Sequence, residues 1–251
     1  MKSPELREQE VLWNPSAELI RDSRLTEFRK WLNANHQLAF ETYESLWQWS
    51  VDDPAFFWEY LASFFKVKFH APYHKVLSDH PMPEARWFEG ATLNYAEHIF
   101  LGLQQQESAI LFVSESGIRK VIPTHVLWKE VGKMVAYFKQ HGVRPGDRIA
   151  GYLPTIPEAT YAFLAAASIG AIWSCCSQDF GVSSVVDRFA QIEPVLLITA
   201  DGYQYNGKVH DKSNEAHAIQ ESLPSLRNSL WISNLGAKNP LDRSTSYSDL
   251  A

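Results

Sequence analysis

The spacing of hydrophobic positions changes character along this chain. In the first stretch apolar residues recur at helical intervals. After Pro15-Ser16, Leu25, Phe28 and Leu32 share one helix face. Thr42 stands where it caps a helix carrying Leu46, Trp47 and Trp49. Asp53-Pro54 reads as an N-cap followed by proline at the first helical position. The helix it opens, Ala55 to Phe65, is aromatic on most sides, and a helix apolar all round must be buried against something larger. His70 to Pro83 holds three prolines and reads as a loop. Six of the nine tryptophans lie between Trp13 and Trp87. Residues 1–86 are thus expected to form a helical N-terminal cap seated on the domain that follows.

From about residue 109 the pattern alternates strand and helix. Ala109–Ser114 and Ile118–Ile122 flank Glu115-Ser116-Gly117, a hairpin signal. Thr124 is placed to cap a helix whose face is Leu127, Val131, Met134, Val135 and Phe138, with Gly142 as the residue just past its end. Pro145-Gly146-Asp147 turns into the strand Arg148–Leu153. A helix (Ile156–Ile169), a strand (Ala171–Cys175), a helix (Val182–Ile192) and a strand (Val195–Thr199) follow. A weaker helix (Asp211–Ser222) and a strand (Leu230–Ser233) end the series, and Ser248-Asp249-Leu250-Ala251 starts another helical turn. Repeated strand–helix–strand units predict an α/β fold with a mostly parallel, doubly wound sheet over residues 87–251.

Composition narrows the function classes. The 251 residues are 45% hydrophobic and 21% charged, the balance of a globular chain rather than a disordered one. The formal charge of -6 gives no basic excess for nucleic acid or anionic membrane. No apolar run reaches the roughly 18 residues of a membrane span, and Met1 to Glu8 lacks a signal-peptide core. The two cysteines, Cys175 and Cys176, are adjacent and have no metal-ligand spacing. A soluble, reduced, cytoplasmic protein is the expectation.

Several motifs carry chemistry elsewhere and fail here. Gly202-Tyr203-Gln204-Tyr205-Asn206-Gly207-Lys208-Val209 nearly spells a phosphate-binding P-loop, but Val209 has no hydroxyl to hold magnesium. It reads as a Gly-bounded surface loop in which Lys208 can still meet a phosphate as a point charge. Ala166-Ala167-Ser168-Ile169-Gly170 echoes a hydrolase nucleophile elbow, yet its serine ends a helix. Pro72 breaks any helix that would align His70 with His74. His210 and His217 lie in a polar stretch and read as surface residues. No nucleophile–base pair, carboxylate pair or metal cluster emerges. Asp179-Phe180-Gly181 matches the kinase metal triplet, but the other kinase elements are missing. Its position says more. Ser177-Gln178-Asp179-Phe180-Gly181 follows a strand and precedes a helix, at the strand end where open α/β sheets bind ligands. Two readings stand there: free N–H groups around Gly181, Ser183 and Ser184 facing an anion, or a connection capped by Ser183 or Asp179.

A resemblance joins these pieces. Trp87-Phe88-Glu89-Gly90-Ala91-Thr92-Leu93-Asn94-Tyr95-Ala96-Glu97 is similar to the opening motif of the acetyl-CoA synthetase-like adenylating enzymes. So are Tyr152-Leu153-Pro154 with Ile156-Pro157-Glu158-Ala159, and Ala165 to Gly170. The most particular stretch is Gly170-Ala171-Ile172-Trp173-Ser174-Cys175-Cys176-Ser177, followed by Asp179-Phe180-Gly181, Asp187-Arg188-Phe189 and Gln191-Ile192-Glu193-Pro194. The resemblance runs from about Trp13 onward and points to the acetoacetate-activating branch.

The resemblance implies an ATP-dependent acid–thiol ligation. The acid attacks ATP to give an acyl-adenylate and pyrophosphate, and coenzyme A then displaces AMP. The family uses ATP with magnesium, coenzyme A and, in this branch, acetoacetate; no cofactor is assigned to this chain itself. The family's Ser/Thr/Gly-rich phosphate loop ending in lysine is not spelled anywhere in the sequence. The chain is therefore expected to be a truncated part of the large N-terminal domain, roughly the first third of such an enzyme and inactive alone. The alternative is a non-catalytic remnant acting at most as a binding or interaction module. For the coenzyme A side, the resemblance implies one wall at Gln178, Asp179, Phe180 and Gly181. It puts Tyr205 and Lys208 where relatives carry two arginines near the nucleotide end. Lys208 keeps a charge without the bidentate fork, and Tyr205 loses it.

Overall fold

The computed structural model describes residues 13–250. They divide into two compact units that meet in sequence at Leu93 and Asn94.

The first unit is helical where the periodicity placed helices. α1 (Ala17–Arg21) and α2 (Arg24–Asn35) are separate, because Ser16 and Ser23 each cap an N-terminus, accepting from Leu19 N and Thr26 N. Phe28 and Leu32 are buried, but Leu25 faces outward. α3 (Tyr43–Asp52) starts at the predicted Thr42, in a capping box with Ser45. α4 (Pro54–Phe64) has proline in its first turn. Its Phe57, Tyr60, Leu61 and Phe64 pack on Phe28, Leu32 and Leu46. The expectation of burial on all sides fails, since none of its residues is fully buried and Phe56 and Trp58 are exposed. The stretch read as a loop contains β1 (Lys75–Leu77), which pairs antiparallel with β2 (Trp87–Glu89). Proline excludes a residue only from donating to a ladder, and Pro72, Pro81 and Pro83 all lie outside β1.

The second unit opens with α5 (Tyr95–Leu103), capped by Asn94. The predicted hairpin follows as β3 (Ser108–Val113) and β4 (Arg119–Pro123). In α6 (Thr124–Gln140) the N-cap is Pro123 rather than Thr124, whose hydroxyl donates to Gln106 O instead. Then come β5 (Arg148–Tyr152), α7 (Pro157–Ser168), β6 (Ile172–Cys176), α8 (Val182–Ala190), β7 (Leu196–Ala200), β8 (Gly202–Tyr205), β9 (Lys208–Asp211), α9 (Ser213–Glu221), β10 (Asn228–Ile232) and β11 (Ser244–Ser246). A 3-10 turn at Tyr247–Asp249 ends the series.

Five parallel strands form one sheet in the order β11-β10-β7-β5-β6. Alternate residues feed opposite faces. Ile149, Leu196, Ile198 and Leu230 meet α6 and α7 through Met134, Phe138 and Ala162. Ala150, Tyr152 and Leu197 meet α8 and α9 through Val185, Phe189 and Ile219. Helices on both faces make the sheet doubly wound, as the alternation predicted. The chain runs from β5 outward to β6, then crosses back past β5 to β7. The strand order therefore reverses between β5 and β7, the kind of switch point where such sheets open a crevice at the carboxyl ends.

Candidate functional site

Two connections leave the carboxyl ends of the strands beside that switch point: residues 177–181 after β6, and the β8–β9 hairpin after β7. Gln178 anchors the first. It is fully buried, and its Nε2 donates to Ala200 O at 2.7 Å and Tyr152 O at 3.3 Å, the last residues of β7 and β5. One side chain thus bridges the two strands on either side of the switch. The Tyr152 hydroxyl donates to the backbone oxygens of Gln178 at 3.2 Å and Phe180 at 3.1 Å. Burial pushes its pKa well above the ordinary tyrosine range, so it remains a donor at working pH.

Asp179 points outward. Its carboxylate accepts from Ser177 Oγ at 2.8 Å and from the Tyr203 hydroxyl of β8. The Tyr203 bond, then the Ser177 bond, hold Asp179 below the usual carboxylate range. The Asp179 bond, with partial burial, pushes the Tyr203 hydroxyl up to about 12. Phe180 lies under the Arg188 guanidinium, 4.3 Å from ring centroid to Cζ, a cation–π contact that holds a positive charge beside the loop. Gly181 is the N-cap of α8, and no side chain caps that end. Neither Asp179 nor Ser183 takes the capping role offered as the alternative, because Asp179 is engaged with Ser177 and Tyr203.

The segment that nearly spells a P-loop is the β8–β9 hairpin. Asn206 and Gly207 both sit in the left-handed region (φ 49° and 69°), as a two-residue type I′ turn requires. Its backbone is committed to strand pairing, Gln204 with Val209 and Tyr205 with Lys208, rather than wrapped around an anion. The register puts Tyr203, Tyr205, Lys208 and His210 on one face. Tyr203 stacks on His210 with centroids 4.9 Å apart, and its hydroxyl reaches Asp179. Tyr205 and Lys208 stand one rung further out on that face, both exposed. The structure therefore brings the two predicted walls together through Tyr203 and Asp179 and leaves Tyr205 and Lys208 at the open tip.

The base of the hairpin rests on Asp201, which no motif singled out, and on Gly202, read from sequence only as the first glycine of the near P-loop. Asp201 is fully buried. Its carboxylate accepts from the N–H groups of Asn234 (2.7 Å), Leu235 (2.8 Å) and Ala237 (2.9 Å). Gly202 has φ 146°, and a Cβ there would sit 2.0 Å from His210 O, so the close approach of the two strands demands glycine. An acid followed by glycine at the end of a mostly apolar strand was the available signal.

Comparison with known proteins joins this geometry to a family. The description "AMP-binding enzyme" matches residues 124–249, about half of the chain, and "Acetyl-coenzyme A synthetase N-terminus" matches residues 43–99. The chain belongs to the AMP-binding enzyme family. It is 35% identical over 246 residues to an acetoacetyl-CoA synthetase of Macaca fascicularis, covering 96% of this chain and 36% of that protein. An acetoacetyl-coenzyme A synthetase of Rhizobium meliloti (strain 1021) is 34% identical over 222 residues, 87% of this chain and 33% of that one. Among solved structures, acetoacetyl-CoA synthetase from Streptomyces lividans aligns with a TM-score of 0.90 and 42% identity, covering 96% of this chain and 38% of its own. The resemblance read from the motifs thus holds along the chain. The chain spans a little over a third of the length of these relatives. Among the described residues no helix is long and apolar enough to cross a membrane.

Proposed function

We propose that this chain supplies part of the coenzyme A side of an ATP-dependent acid–thiol ligase acting on acetoacetate in the cytoplasm. The observation that carries the reading is the 42% identity and 0.90 TM-score to the Streptomyces lividans acetoacetyl-CoA synthetase, sustained over 96% of the chain. Residues 1–86 correspond to the helical N-terminal part of such a ligase and 87–251 to the first part of its AMP-binding domain.

The residues at the crevice fit an anionic nucleotide end. Lys208 offers a point charge at the hairpin tip, Arg188 stands beside Phe180, and the N-terminus of α8 carries no side-chain cap. Gln178, Tyr152 and Tyr203 act as positioning residues. They fix the backbone around Asp179, Phe180 and Gly181, while Tyr205 offers a ring rather than a second charge. In the complete reaction acetoacetate would attack ATP, as its magnesium complex, to give the acyl-adenylate and pyrophosphate, and coenzyme A would then displace AMP to form the thioester. This chain's own share is to hold and orient coenzyme A.

The test is pyrophosphate release with ATP and acetoacetate. The chain alone is compared with a version extended by the remainder of the Streptomyces lividans enzyme. Acetoacetate-dependent release is expected from the extended version only. An extended version that releases pyrophosphate with acetate but not acetoacetate overturns the substrate assignment. Release by the chain alone overturns the division of labour.

A further inference from the structure

Three side chains with metal-ligating atoms converge at the other end of the sheet. His217 and Glu221 stand four residues apart on α9 and so share one face. Asp242 comes from the connection that leads into β11. Their ligating atoms all lie within 4.8 Å of one another. Among the described residues, no hydrogen bond or ion pair to another protein group occupies these three side chains.

The framework around them is fixed. Gln220, 3% exposed, donates Nε2 to Asp242 O at 2.6 Å and to Ser229 Oγ at 2.9 Å, tying the connection to both α9 and β10. Leu241 packs with Ala216 of α9 and Trp231 of β10. Asp242 is thus held over the helix by its neighbour and its own backbone. Metal bonds of about 2.0–2.2 Å imply ligand separations of roughly 3.3 Å, so the set must draw in from its present spread when a metal binds. Glu221 is the last residue of α9 and His217 lies one turn earlier, where the helix dipole favours a cation. One imidazole nitrogen with two carboxylate oxygens suits zinc and its first-row neighbours. Calcium and magnesium prefer all-oxygen sets.

We propose that His217, Glu221 and Asp242 bind one zinc-class divalent cation, which staples the edge strand β11 to α9. The location defines the role. The site lies at the amino ends of β10 and β11, away from the crevice, so it is structural and independent of the ligase reading. β11 is three residues long and, among the described residues, pairs with β10 alone, so a cross-link to α9 would add a second anchor.

Zinc titrated into the full chain against a chromophoric chelator tests this, with the fold monitored by circular dichroism. One equivalent is expected to bind in the micromolar range, with affinity at least about ten-fold weaker in His217→Ala and in Asp242→Asn. Cobalt is expected to give a visible absorption band, and millimolar magnesium to leave the zinc bound. Zinc is also expected to raise the melting temperature of wild type and not of the variants. Glu221→Gln, at an exposed position, serves as a third variant should His217→Ala fail to fold. Absence of saturable zinc binding by the folded wild type overturns the proposal. So does wild-type affinity in both Glu221→Gln and Asp242→Asn, which would place the metal elsewhere.

Discussion

Replacing Asp201 with alanine is expected to loosen the hairpin base more than any other single truncation at its foot. Three backbone N–H groups, of Asn234, Leu235 and Ala237, lose their acceptor at once. A buried donor left unpaired costs about 1–3 kcal/mol. Residues 234–236 are exposed on their other side, so water recovers part of each loss. A net cost of about 3 kcal/mol follows, near the low end for breaking a buried charge-assisted set. For a unit of this size each kcal/mol shifts the melting temperature by about 2–4 °C, so a fall of about 6–12 °C is expected. Hydrogen exchange locates the effect: peptides covering 201–211 and 234–238 should lose protection well before the β5–β7 core. Asp201→Asn should be nearly as costly, because its new N–H₂ group faces backbone donors. A shift below about 2 °C in both variants, with unchanged exchange in those peptides, refutes the reasoning.

Gly202→Ala should destabilise the same region by more than the roughly 1 kcal/mol of backbone strain, since its Cβ would meet His210 O; a melting temperature equal to wild type contradicts the close approach. Lys208→Ala should weaken coenzyme A binding a few-fold at low salt and less at high salt, a screened, exposed contact; equal affinities by calorimetry would leave Lys208 a solvated surface residue. The Asp179–Tyr203 bond should have two pH limits. Tyr203 is raised to about 12, so its contribution is full below the ordinary tyrosine value of about 10 and lost as pH rises through 12. Asp179 is lowered, so its contribution is full above about 4 and lost as pH falls further. Exchange protection of the hairpin should drop at both limits in wild type; Tyr203→Phe should remove the alkaline dependence and weaken the acid one, since the Ser177 bond to Asp179 remains, and matching profiles for the two proteins would count against the clamp.

The doubly wound sheet was legible because β7 is apolar at every position but Thr199 and α6 shows a clear helical stripe, patterns that burial imposes. The hairpin was not, although Asn206-Gly207 is a strong turn signal. Its lysine after glycine drew attention to a phosphate motif, and its strands alternate weakly because one face carries Tyr203, Tyr205, Lys208 and His210, all polar or amphipathic. β1 was hidden by prolines that turned out to flank it. Leu25 and Trp47 fall at helical spacing yet face outward, since periodicity identifies a stripe without saying how wide the neighbour beneath it is. At the site, the position of residues 177–181 was readable from the strand–helix boundary. That Gln178 turns inward to join two strands, while Asp179 turns out to meet Tyr203, depends on contacts 22 to 26 residues away, which no local pattern encodes.

The inward turn of Gln178 bears on how quickly a ligand is captured. A surface loop that must be ordered on binding loses about 1–2 kcal/mol of backbone entropy per residue fixed, and association waits for the rare competent arrangement. Here the loop is already tied at Ala200, at Tyr152 and through the Tyr152 hydroxyl before any ligand arrives. The conformational penalty was met when the chain folded. On the proposed coenzyme A role, encounter depends on diffusion and on Lys208 at the hairpin tip, so changes at Lys208 should appear mainly in the association rate, whereas changes at Gln178 should reduce the fraction of molecules able to bind at all.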